Sequence, residues 1–355
     1  MKVVKKILLA LAIILGALLL GAVALFTYLT ITEFRPKPEQ TVEVVDNREN
    51  TPLEKKEFTV LSWNVGYCAL GQESEFFMDG GKEVRPDSEK IIDKNFDGVL
   101  QLLKQQNPDF IFLQEVDSGS KRSYQKDEVA LLRKDLALPS AYALNYSCNY
   151  VPYPLPTLGR VRSGLLTFSD YGITDAKRIS LPCPFSWPVS MANLKRCLLV
   201  TRVPVEGTDR ELVLVNLHLE AYDDGEGKKA QTEQLLGFLE EEYKKGNYVI
   251  AGGDWNQIFP ESLELYPNTH EDLWTPGYLN ESDLSEGWRY VWDAAAPTCR
   301  LLNQPYNPQD TAGTQYYVID GFLVSPNVEA TAETLDEGFA FSDHNPVLLT
   351  VRIGD

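Results

Sequence analysis

Six apolar runs of strand length carry or adjoin a polar residue that can take part in catalysis. These residues are Asn64, Glu115, His218, Asp254, Asp320 and His344. Asn256 and Asp343 stand beside two of them, in the motifs Gly-Gly-Asp-Trp-Asn and Ser-Asp-His-Asn-Pro. Strand ends on one edge of a sheet converge in space, and layered α/β folds place their sites there. We therefore expect these side chains to gather in one place.

The residue types suit metal-assisted hydrolysis of a phosphate ester. Carboxylate and amide oxygens are ligands for hard cations such as Mg²⁺ or Mn²⁺. The five cysteines show no CxxC spacing, which disfavours a zinc site. An Asp beside a His fixes the imidazole tautomer and raises its basicity. A cation, a His–Asp pair and neutral Asn donors together supply charge stabilisation, an activated water and orientation.

Each of these residues also has an ordinary structural interpretation. A lone Asn or Glu at a strand end is commonly a turn or an exposed edge, and Gly-Gly-Asp alone is a turn. A lone His in an apolar strand is more often a hydrogen-bonded residue than a catalyst. Recurrence of such residues at five or six strand ends favours a shared site.

The elements that must position these residues are visible as apolar runs and helical periodicity. Predicted helices are Ser88–Gln106, Tyr124–Leu136 and Lys228–Lys245. The predicted strands are Phe58–Val65, Asp109–Val116, Gly164–Ser169, Arg196–Val205, Glu211–Leu219, Tyr248–Asp254, Gln315–Val324 and Pro346–Ile353. Strands outnumber helices, which indicates a mixed α/β layered sandwich. Residues 257–310 have weak periodicity and are predicted to form a long loop region beside the site.

The N-terminal region predicts a membrane anchor followed by a tether. Ile7–Ile31 is an uncharged apolar run of 25 residues, longer than the roughly 20 that span a bilayer. Lysines precede it, which places the rest of the chain on the extracytoplasmic side. A cleaved signal peptide is the competing interpretation, because Ala22 and Ala24 form an A-x-A-like pattern. We divide the chain into residues 1–32 (cytoplasmic stub and transmembrane anchor), 33–57 (polar linker) and 58–355 (catalytic domain).

The charge of the chain disfavours long nucleic acids as partners. Residues 1–57 carry a net charge of +1, so residues 58–355 carry −19. Such a surface repels polyanions at long range, although a bound metal can invert the field locally. Cys183 and Cys197 flank a Pro-rich loop and can pair outside the cell; the alternative is that the cysteines are small buried apolar residues.

Six sequence blocks resemble the endonuclease/exonuclease/phosphatase superfamily. This DNase I-like group includes abasic-site nucleases, neutral sphingomyelinases and inositol polyphosphate 5-phosphatases. The blocks are Leu61-Ser62-Trp63-Asn64, Leu113-Gln114-Glu115-Val116, Asn216-Leu217-His218-Leu219, Gly253-Asp254-Trp255-Asn256, Ile319-Asp320-Gly321-Phe322 and Ser342-Asp343-His344-Asn345-Pro346. Their order and approximate spacing agree with the family from Trp63 to Pro346. The resemblance implies a four-layer α/β sandwich with two packed central sheets.

The resemblance also implies a role for each residue. Glu115 would be the main metal ligand with Asn64 beside it, and Asp343 would hold a second metal. His344 would act as general base or transition-state stabiliser, and Asp320 would orient it. Asp254 would activate water or protonate the leaving group. The remaining implied phosphate contacts are Asn256, His218 and Arg162. For Arg162 the alternative interpretation is that it forms a structural ion pair. Lys121, Arg122 and Ser123 form a small basic spot.

These features predict a membrane-tethered, extracytoplasmic, Mg²⁺- or Mn²⁺-dependent phosphoesterase. It would hydrolyse phosphodiester or phosphomonoester bonds, with a lipid head group or an envelope phosphoester favoured, and we expect a monomer. The alternative is an extracellular nuclease that acts on DNA or RNA. A catalytically inactive binding domain is a remote third hypothesis, since it predicts loss of key residues and all are present.

Overall fold

Two large β-sheets make up the centre of the computed structural model, which describes residues 2–270, 273–309 and 313–354. The helices in this part are α1 (Lys2–Ile31), α2 (Glu89–Gln106), α3 (Glu128–Leu136), α4 (Glu226–Lys244) and α5 (Ser262–Leu265). In chain order the strands are β1 (Glu39–Thr41), β2 (Val44–Val45), β3 (Glu57–Asn64), β4 (Phe110–Asp117), β5 (Ser140–Val151), β6 (Gly159–Ser169), β7 (Asp175–Ser180), β8 (Cys197–Pro204), β9 (Glu211–His218), β10 (Tyr248–Asp254), β11 (Gln257–Ile258), β12 (Gly277–Tyr278), β13 (Arg289–Val291), β14 (Cys299–Arg300), β15 (Tyr316–Tyr317), β16 (Asp320–Val324), β17 (Val328–Thr334) and β18 (Val347–Ile353).

Each large sheet has seven strands. One has the order β1-β7-β8-β9-β10-β16-β13, and the other has the order β17-β18-β3-β4-β6-β5-β2. Most neighbouring pairs are antiparallel, but β9 and β10 are parallel, as are β3 and β4. These two parallel pairs bring four strand ends to the same edge of the sandwich, where the site is built.

The central strands are buried on both faces, and their alternation decides which layer each side chain enters. In β3, Phe58 and Val60 point into the core between the two sheets. Leu61 and Trp63, the intervening apolar positions, pack instead in the cluster beneath α2. Helix α4 covers the outer face of the other sheet through Leu235 and its neighbours. The result is the predicted four-layer sandwich of helix, sheet, sheet and helix.

The predicted helices are present with small shifts at their ends. Ser88 caps α2, since its side chain accepts a hydrogen bond from the Lys90 N–H at 3.2 Å. Helix α3 begins at Glu128, later than the predicted Tyr124, because the Asp127 side chain accepts from the Ala130 N–H and fixes the first turn there. Helix α4 starts at Glu226 instead of Lys228.

Residues 33–57 are not the free tether that the sequence predicts. Strand β1 pairs with β7, and β2 pairs with β5, so this stretch forms an edge of each sheet. Leu53 is buried in the core between the sheets. The two strands are only three and two residues long, and the prolines around them interrupt any apolar alternation. Such short edge strands leave no periodic signal in the sequence.

Helix α1 is long and apolar enough to cross a membrane. None of its most apolar 18-residue window is buried inside the protein, which distinguishes it from a core helix. A signal sequence passes the same test of length and composition. Only the last turns touch the rest of the chain, where Leu29 is buried.

Residues 257–310, predicted as a long loop region, contain four short strands and α5 in their described part. Strand β13 pairs with β16 and extends a large sheet by one strand. The five cysteines are free thiols, with Cys183 exposed and the others buried. The suggested Cys183–Cys197 pair is therefore not formed in this structure.

Candidate active site

The predicted catalytic side chains come from both sheets and meet where the sheet edges face each other. Asn64 is the last residue of β3, and Glu115 lies near the end of β4. From the other sheet come His218 at the end of β9, Asp254 at the end of β10 and Asp320 at the start of β16. The loop before β18 supplies Asp343 and His344. These residues together, apart from Asp320, line a single cavity.

Glu115 reaches the site because β4 is irregular at that residue. The pairing of β4 with β6 shifts register between Leu113 and Val116. Glu115 itself has φ of +55°, a left-handed conformation that non-glycine residues seldom adopt. A bulge of this kind re-aims one side chain, here away from the regular alternation and into the cavity.

The Gly-Gly-Asp motif lets β10 approach β9 closely enough to place Asp254. Gly253 has φ of +148°, and a Cβ built on it would lie 1.9 Å from the Leu217 carbonyl oxygen. Any other residue would force the two parallel strands apart. The motif is therefore a packing requirement of the strand that carries Asp254, not a turn.

Asp254 lies at the centre of the cluster. Its Oδ2 accepts a hydrogen bond from Asn64 Nδ2 at 2.9 Å and lies 3.3 Å from His218 Nε2. His344 Nε2 is 3.8 Å from the same oxygen. The other carboxylate oxygen, Asp254 Oδ1, accepts a hydrogen bond from the Asn256 backbone N–H at 2.9 Å. The Asn256 side chain donates to the Leu219 carbonyl at 3.0 Å, so Asn256 holds the Asp254 loop in place.

His344 and Asp320 form a buried dyad. Nδ1 of His344 is 2.8 Å from Asp320 Oδ2, and Nε2 faces the cavity. Trp63 Nε1 donates to the His344 carbonyl at 2.8 Å, which ties the loop to β3. Burial by itself would lower the pKa of His344, but the negative charge of Asp320 and its neighbours raises it well above the ordinary value.

His218 has the opposite electrostatic environment. Burial lowers its pKa well below the ordinary value, and the nearby Arg196 guanidinium adds to the effect. Arg196 Nη1 donates to the His218 carbonyl at 3.5 Å. The Nδ1 atom of His218 is buried and has no hydrogen-bond partner. The two histidines of the site therefore have opposite pKa shifts: burial favours the neutral form of His218, whereas the Asp320 charge favours the protonated form of His344.

Two carboxyl groups hold their protons unusually tightly. Burial raises the pKa of Asp254 to about 7, and the Asp320 charge adds to it. Burial also raises the pKa of Asp343 to about 7, with Glu115 adding negative charge nearby. Carboxylates crowded in a buried site are stabilised in the ionised form by a cation. The donor chemistry of the site therefore fits a divalent metal ion.

The positions and hydrogen bonds of the individual donor atoms indicate which residues are able to bind a cation. The donor atoms of Asp254, Asp320 and His344 lie within 4.8 Å of one another. In this group Asp320 Oδ2 and His344 Nδ1 already bind each other, leaving Asp320 Oδ1 without a partner. Asn64 directs its amide nitrogen at the carboxylates, because its Oδ1 accepts from the Gly66 N–H at 3.1 Å. Its oxygen faces the cavity only after an amide flip.

The arginine beside the predicted metal ligand is Arg122, which belongs to the basic spot seen in the sequence. Its guanidinium forms a bidentate ion pair with Asp117, with Nη2 3.0 Å from Oδ1, and lies 3.9 Å from Glu115 Oε2. The Tyr67 ring stacks on it at 3.6 Å. Arg162, the predicted phosphate contact, lies on β6 and is not among the residues that line the cavity. Its backbone instead pairs with Ser120.

Sequence reasoning missed Asp79 entirely. This carboxyl group is buried at the end of the short 3-10 helix Phe77–Asp79, lines the cavity and has its pKa raised by burial to about 6. It accepts hydrogen bonds from Tyr222 Oη at 3.3 Å and from the Leu302 N–H at 3.2 Å. No strand or motif marks it in the sequence, so no local signal could have identified it.

Comparison with known proteins agrees with this geometry. The sequence profile of the Endonuclease/Exonuclease/phosphatase family matches residues 61–344. The chain belongs to this family. The match confirms the family resemblance and spans each predicted site residue. A sequence comparison with curated proteins returned no match.

Solved structures show the same fold at low sequence identity. An endonuclease/exonuclease/phosphatase from Beutenbergia cavernae has a TM-score of 0.59 at 18% identity, with 84% of this chain and 72% of that chain covered. One from Bacteroides vulgatus scores 0.52 at 16% identity, covering 84% and 100%. ANGEL2, a 2′,3′-cyclic phosphatase, scores 0.54 at 13% identity, covering 90% and 99%. At these identities the likeness concerns the fold alone.

Proposed function

We propose that this protein is a divalent-metal-dependent phosphoric ester hydrolase that works at the extracytoplasmic face of the membrane in which α1 is anchored. Membership of the family supports phosphoester chemistry. The observation that carries the proposal is the convergence of Asn64, Glu115, Asp254 and His344 into one cavity, with Asp320 bonded to His344 behind it. A purely structural role would not need buried carboxylates and histidines to face a common space.

Glu115 and Asp343 are the residues we assign to Mg²⁺ or Mn²⁺, and Asn64, whose Nδ2 lies 3.5 Å from Glu115 Oε1, stands beside them. Such a cation supplies charge stabilisation to the phosphate and lowers the pKa of water. Both carboxylates face the cavity, and only Glu115 is partly exposed to solvent within it. The Arg122 guanidinium, which is paired with Asp117, lies 3.9 Å from Glu115 Oε2 and offsets part of the negative charge there.

Asp254 is the residue we assign to proton transfer from the attacking water. A base works best when its pKa is near the working pH, and burial raises the pKa of Asp254 to about 7. Asn64 and His218 contact Oδ2 from two sides and fix its direction. Neutral His218, whose Nε2 is within 3.3 Å, donates to this carboxylate or to a phosphate oxygen.

His344 is assigned to the developing negative charge of the phosphoryl group. Asp320 holds its Nδ1, and the Asp320 charge raises the pKa of His344 and so favours the protonated imidazole, whose Nε2 faces the cavity. A fixed cationic donor of this kind stabilises the transition state without reorganisation during the reaction. It also has a proton to give to the leaving oxygen.

The location follows from α1 and its flanking charge. Lys2, Lys5 and Lys6 precede the apolar stretch, and positive flanks remain cytoplasmic. The catalytic domain then lies outside, held close to the bilayer. Tethering raises the effective concentration of the catalytic domain at the membrane surface. Lipid head groups or envelope phosphoesters are therefore favoured as substrates.

An extracellular nuclease is the second candidate. The ANGEL2 structure holds adenosine-2′,3′-vanadate, so this fold accommodates a nucleoside vanadate ester in that protein. Against it stands the net charge of −19 on residues 58–355.

A substrate panel tests the proposal and separates the two candidates. The full chain in vesicles is assayed with bis-p-nitrophenyl phosphate, sphingomyelin, inositol phosphates, RNA and plasmid DNA, each with Mg²⁺ or with EDTA. We expect Mg²⁺-dependent hydrolysis of the small diester and of sphingomyelin or an inositol phosphate. Rapid cleavage of plasmid DNA without action on lipids would favour the nuclease, and equal rates in EDTA would exclude the metal-dependent mechanism.

A further inference from the structure

The cavity has two chemically different ends. Its volume is about 670 Å³, which falls among sites for organic ligands of about 300–1,000 Å³ and far exceeds the need of a phosphate group. One end holds the catalytic cluster. The other end is apolar and is lined by Leu25, Leu29, Val151, Leu158, Val189 and Met191. A substrate that fills the cavity must therefore be amphiphilic.

The wall of the apolar end is the last part of the membrane helix itself. Leu29 is 4% exposed and packs with Val151 and Met191, on a strand and a loop of the catalytic domain. Thr30 Oγ1 accepts from Trp187 Nε1 at 3.2 Å. Just beyond the helix, Lys195 Nζ and Glu33 Oε1 form an ion pair at 3.0 Å. These contacts dock α1 against the cavity in a fixed position.

With α1 in the bilayer, as proposed above, the mouth of the apolar end lies at the membrane surface. The preceding turns of α1 are exposed and apolar, as expected for a helix in lipid. Trp187 is exposed and contacts Phe26 of α1 through its ring, and Tyr153 and Val189, which line the cavity, are exposed and apolar as well. Tyr and Trp prefer the membrane–water interface, and an apolar patch of this kind on a soluble surface marks contact with a membrane or a partner. The continuity with α1 selects the membrane.

We propose that the substrate is a membrane lipid whose acyl chain lies in the apolar end, against α1, while its phosphoester reaches Asp254 and His344. The helix is then part of the substrate site as well as an anchor. This inference rests on the proposed phosphoesterase function. An apolar mouth that opens at the bilayer lets the lipid enter from the side without its chain crossing water, and no nucleic acid presents such a chain.

A chain-length series measures the apolar end directly. Methyl, butyl and octyl p-nitrophenyl phosphates share one reaction: water oxygen forms the new P–O bond and gives its proton to Asp254, p-nitrophenolate leaves with the electron pair of the broken P–O bond, and the alkyl phosphate remains. With the full chain in phosphatidylcholine vesicles, we expect kcat/KM to rise with each buried methylene by up to about four-fold. Part of that rise reflects partition of the longer esters into the vesicles. The test of the apolar end is therefore the comparison of this rise between the wild type and variants of the cavity.

Leu29→Trp fills the apolar end, and Val189→Glu places a charge at its mouth. Leu20→Trp is the control, because Leu20 lies on the same helix, is exposed and does not line the cavity. We expect the octyl-to-methyl ratio of kcat/KM to fall at least ten-fold in the first two variants and to stay at the wild-type value in the control. This ratio does not depend on the fraction of folded enzyme, so a poorly folding variant remains informative.

The outcomes separate this inference from the proposed function. Equal ratios in wild type, Leu29→Trp and Val189→Glu, with the methyl ester still hydrolysed, would overturn the acyl-chain site and leave the phosphoesterase intact. Failure of the wild type to hydrolyse even the methyl ester with Mg²⁺ would overturn the proposed function, and the inference with it.

Discussion

The two ends of the cavity are built from different kinds of element. The catalytic end is made from strand ends of both sheets, and its side chains are buried and bonded to one another. Beneath it, Gln114 Nε2 donates to Asn216 Oδ1 at 2.8 Å and joins the two sheets. The apolar end is made from α1, the end of β5 and the loop around residues 187–191, elements that meet only at the periphery of the sandwich.

This difference shows how one fold can keep its chemistry and vary its substrate. Moving a catalytic side chain requires a change in strands that also form the core, so the reaction is tied to the stability of the sandwich. Peripheral loops and an added helix can change without disturbing that core. We therefore expect substitutions at the catalytic end to affect all substrates, and substitutions at the apolar end to affect the choice among them.

Glu115→Ala should have the largest effect. Loss of the carboxylate assigned to the metal ion is expected to lower kcat/KM about 10³-fold or more for every phosphoester. Glu115 is partly exposed in the cavity, so we expect little change in melting temperature. Glu329→Ala, on the exposed face of the edge strand β17, is the matched control. Hydrolysis by Glu115→Ala within ten-fold of the wild type would refute the assignment.

Asp320→Asn should have the second-largest effect and should move the pH profile. The Asp320 charge raises the pKa of His344, so the neutral amide lowers that pKa. If protonated His344 stabilises the phosphoryl group, the alkaline limb of kcat shifts to lower pH and kcat at pH 8 falls about 10²-fold. Exposed Asp209→Asn is the control. An unshifted alkaline limb would show that the proton of His344 does not limit the reaction.

The catalytic end could be predicted from the sequence, whereas the apolar end could not. Asn64, Glu115, His218, Asp254 and Asp320, which we assign to the reaction, lie within or at the end of apolar strands, and His344 lies shortly before one. Such polar residues can be recognised from the local sequence. Motifs such as Gly253-Asp254 also reflect strict packing. The apolar end depends on contacts between Leu29, Val151 and Met191, which are distant in the chain and individually unremarkable apolar residues. The pairing of β1 and β2 with the sheets, and the Arg122–Asp117 pair beside Glu115, were missed for the same reason.

Mg²⁺ should stabilise the protein more at high pH than at low pH. The folded-state pKa values of Asp254 and Asp343 are raised to about 7, above the unfolded value of about 3.9. The metal-free fold thus holds protons that the unfolded chain releases, and it loses stability as pH rises through 7. A cation replaces those protons once the groups ionise. We expect Mg²⁺ to raise the melting temperature by about 2–5 °C at pH 8.5 and by less at pH 6.5.

Two controls apply to this measurement. Ionic strength is matched with NaCl, and pH 6.5 is the lower limit because His218, with its lowered pKa, reduces stability as pH falls below that value. Asp343→Asn should remove most of the pH dependence of the Mg²⁺ effect. Equal shifts at the two pH values would indicate that the ion binds elsewhere.

Trp187→Ala should have the smallest effect and should change selectivity alone. Trp187 is 60% exposed, contacts Phe26 of α1 through its ring and donates to Thr30. Its removal loosens the rim of the apolar end without reaching the core, so the melting temperature should change by about 2 °C or less. We expect the octyl-to-methyl ratio of kcat/KM to fall about two- to five-fold. Leu265→Ala, another exposed apolar residue on α5, should leave the ratio unchanged. An equal fall for both esters would mean that Trp187 supports the catalytic end, and the separation between the two ends would then be wrong.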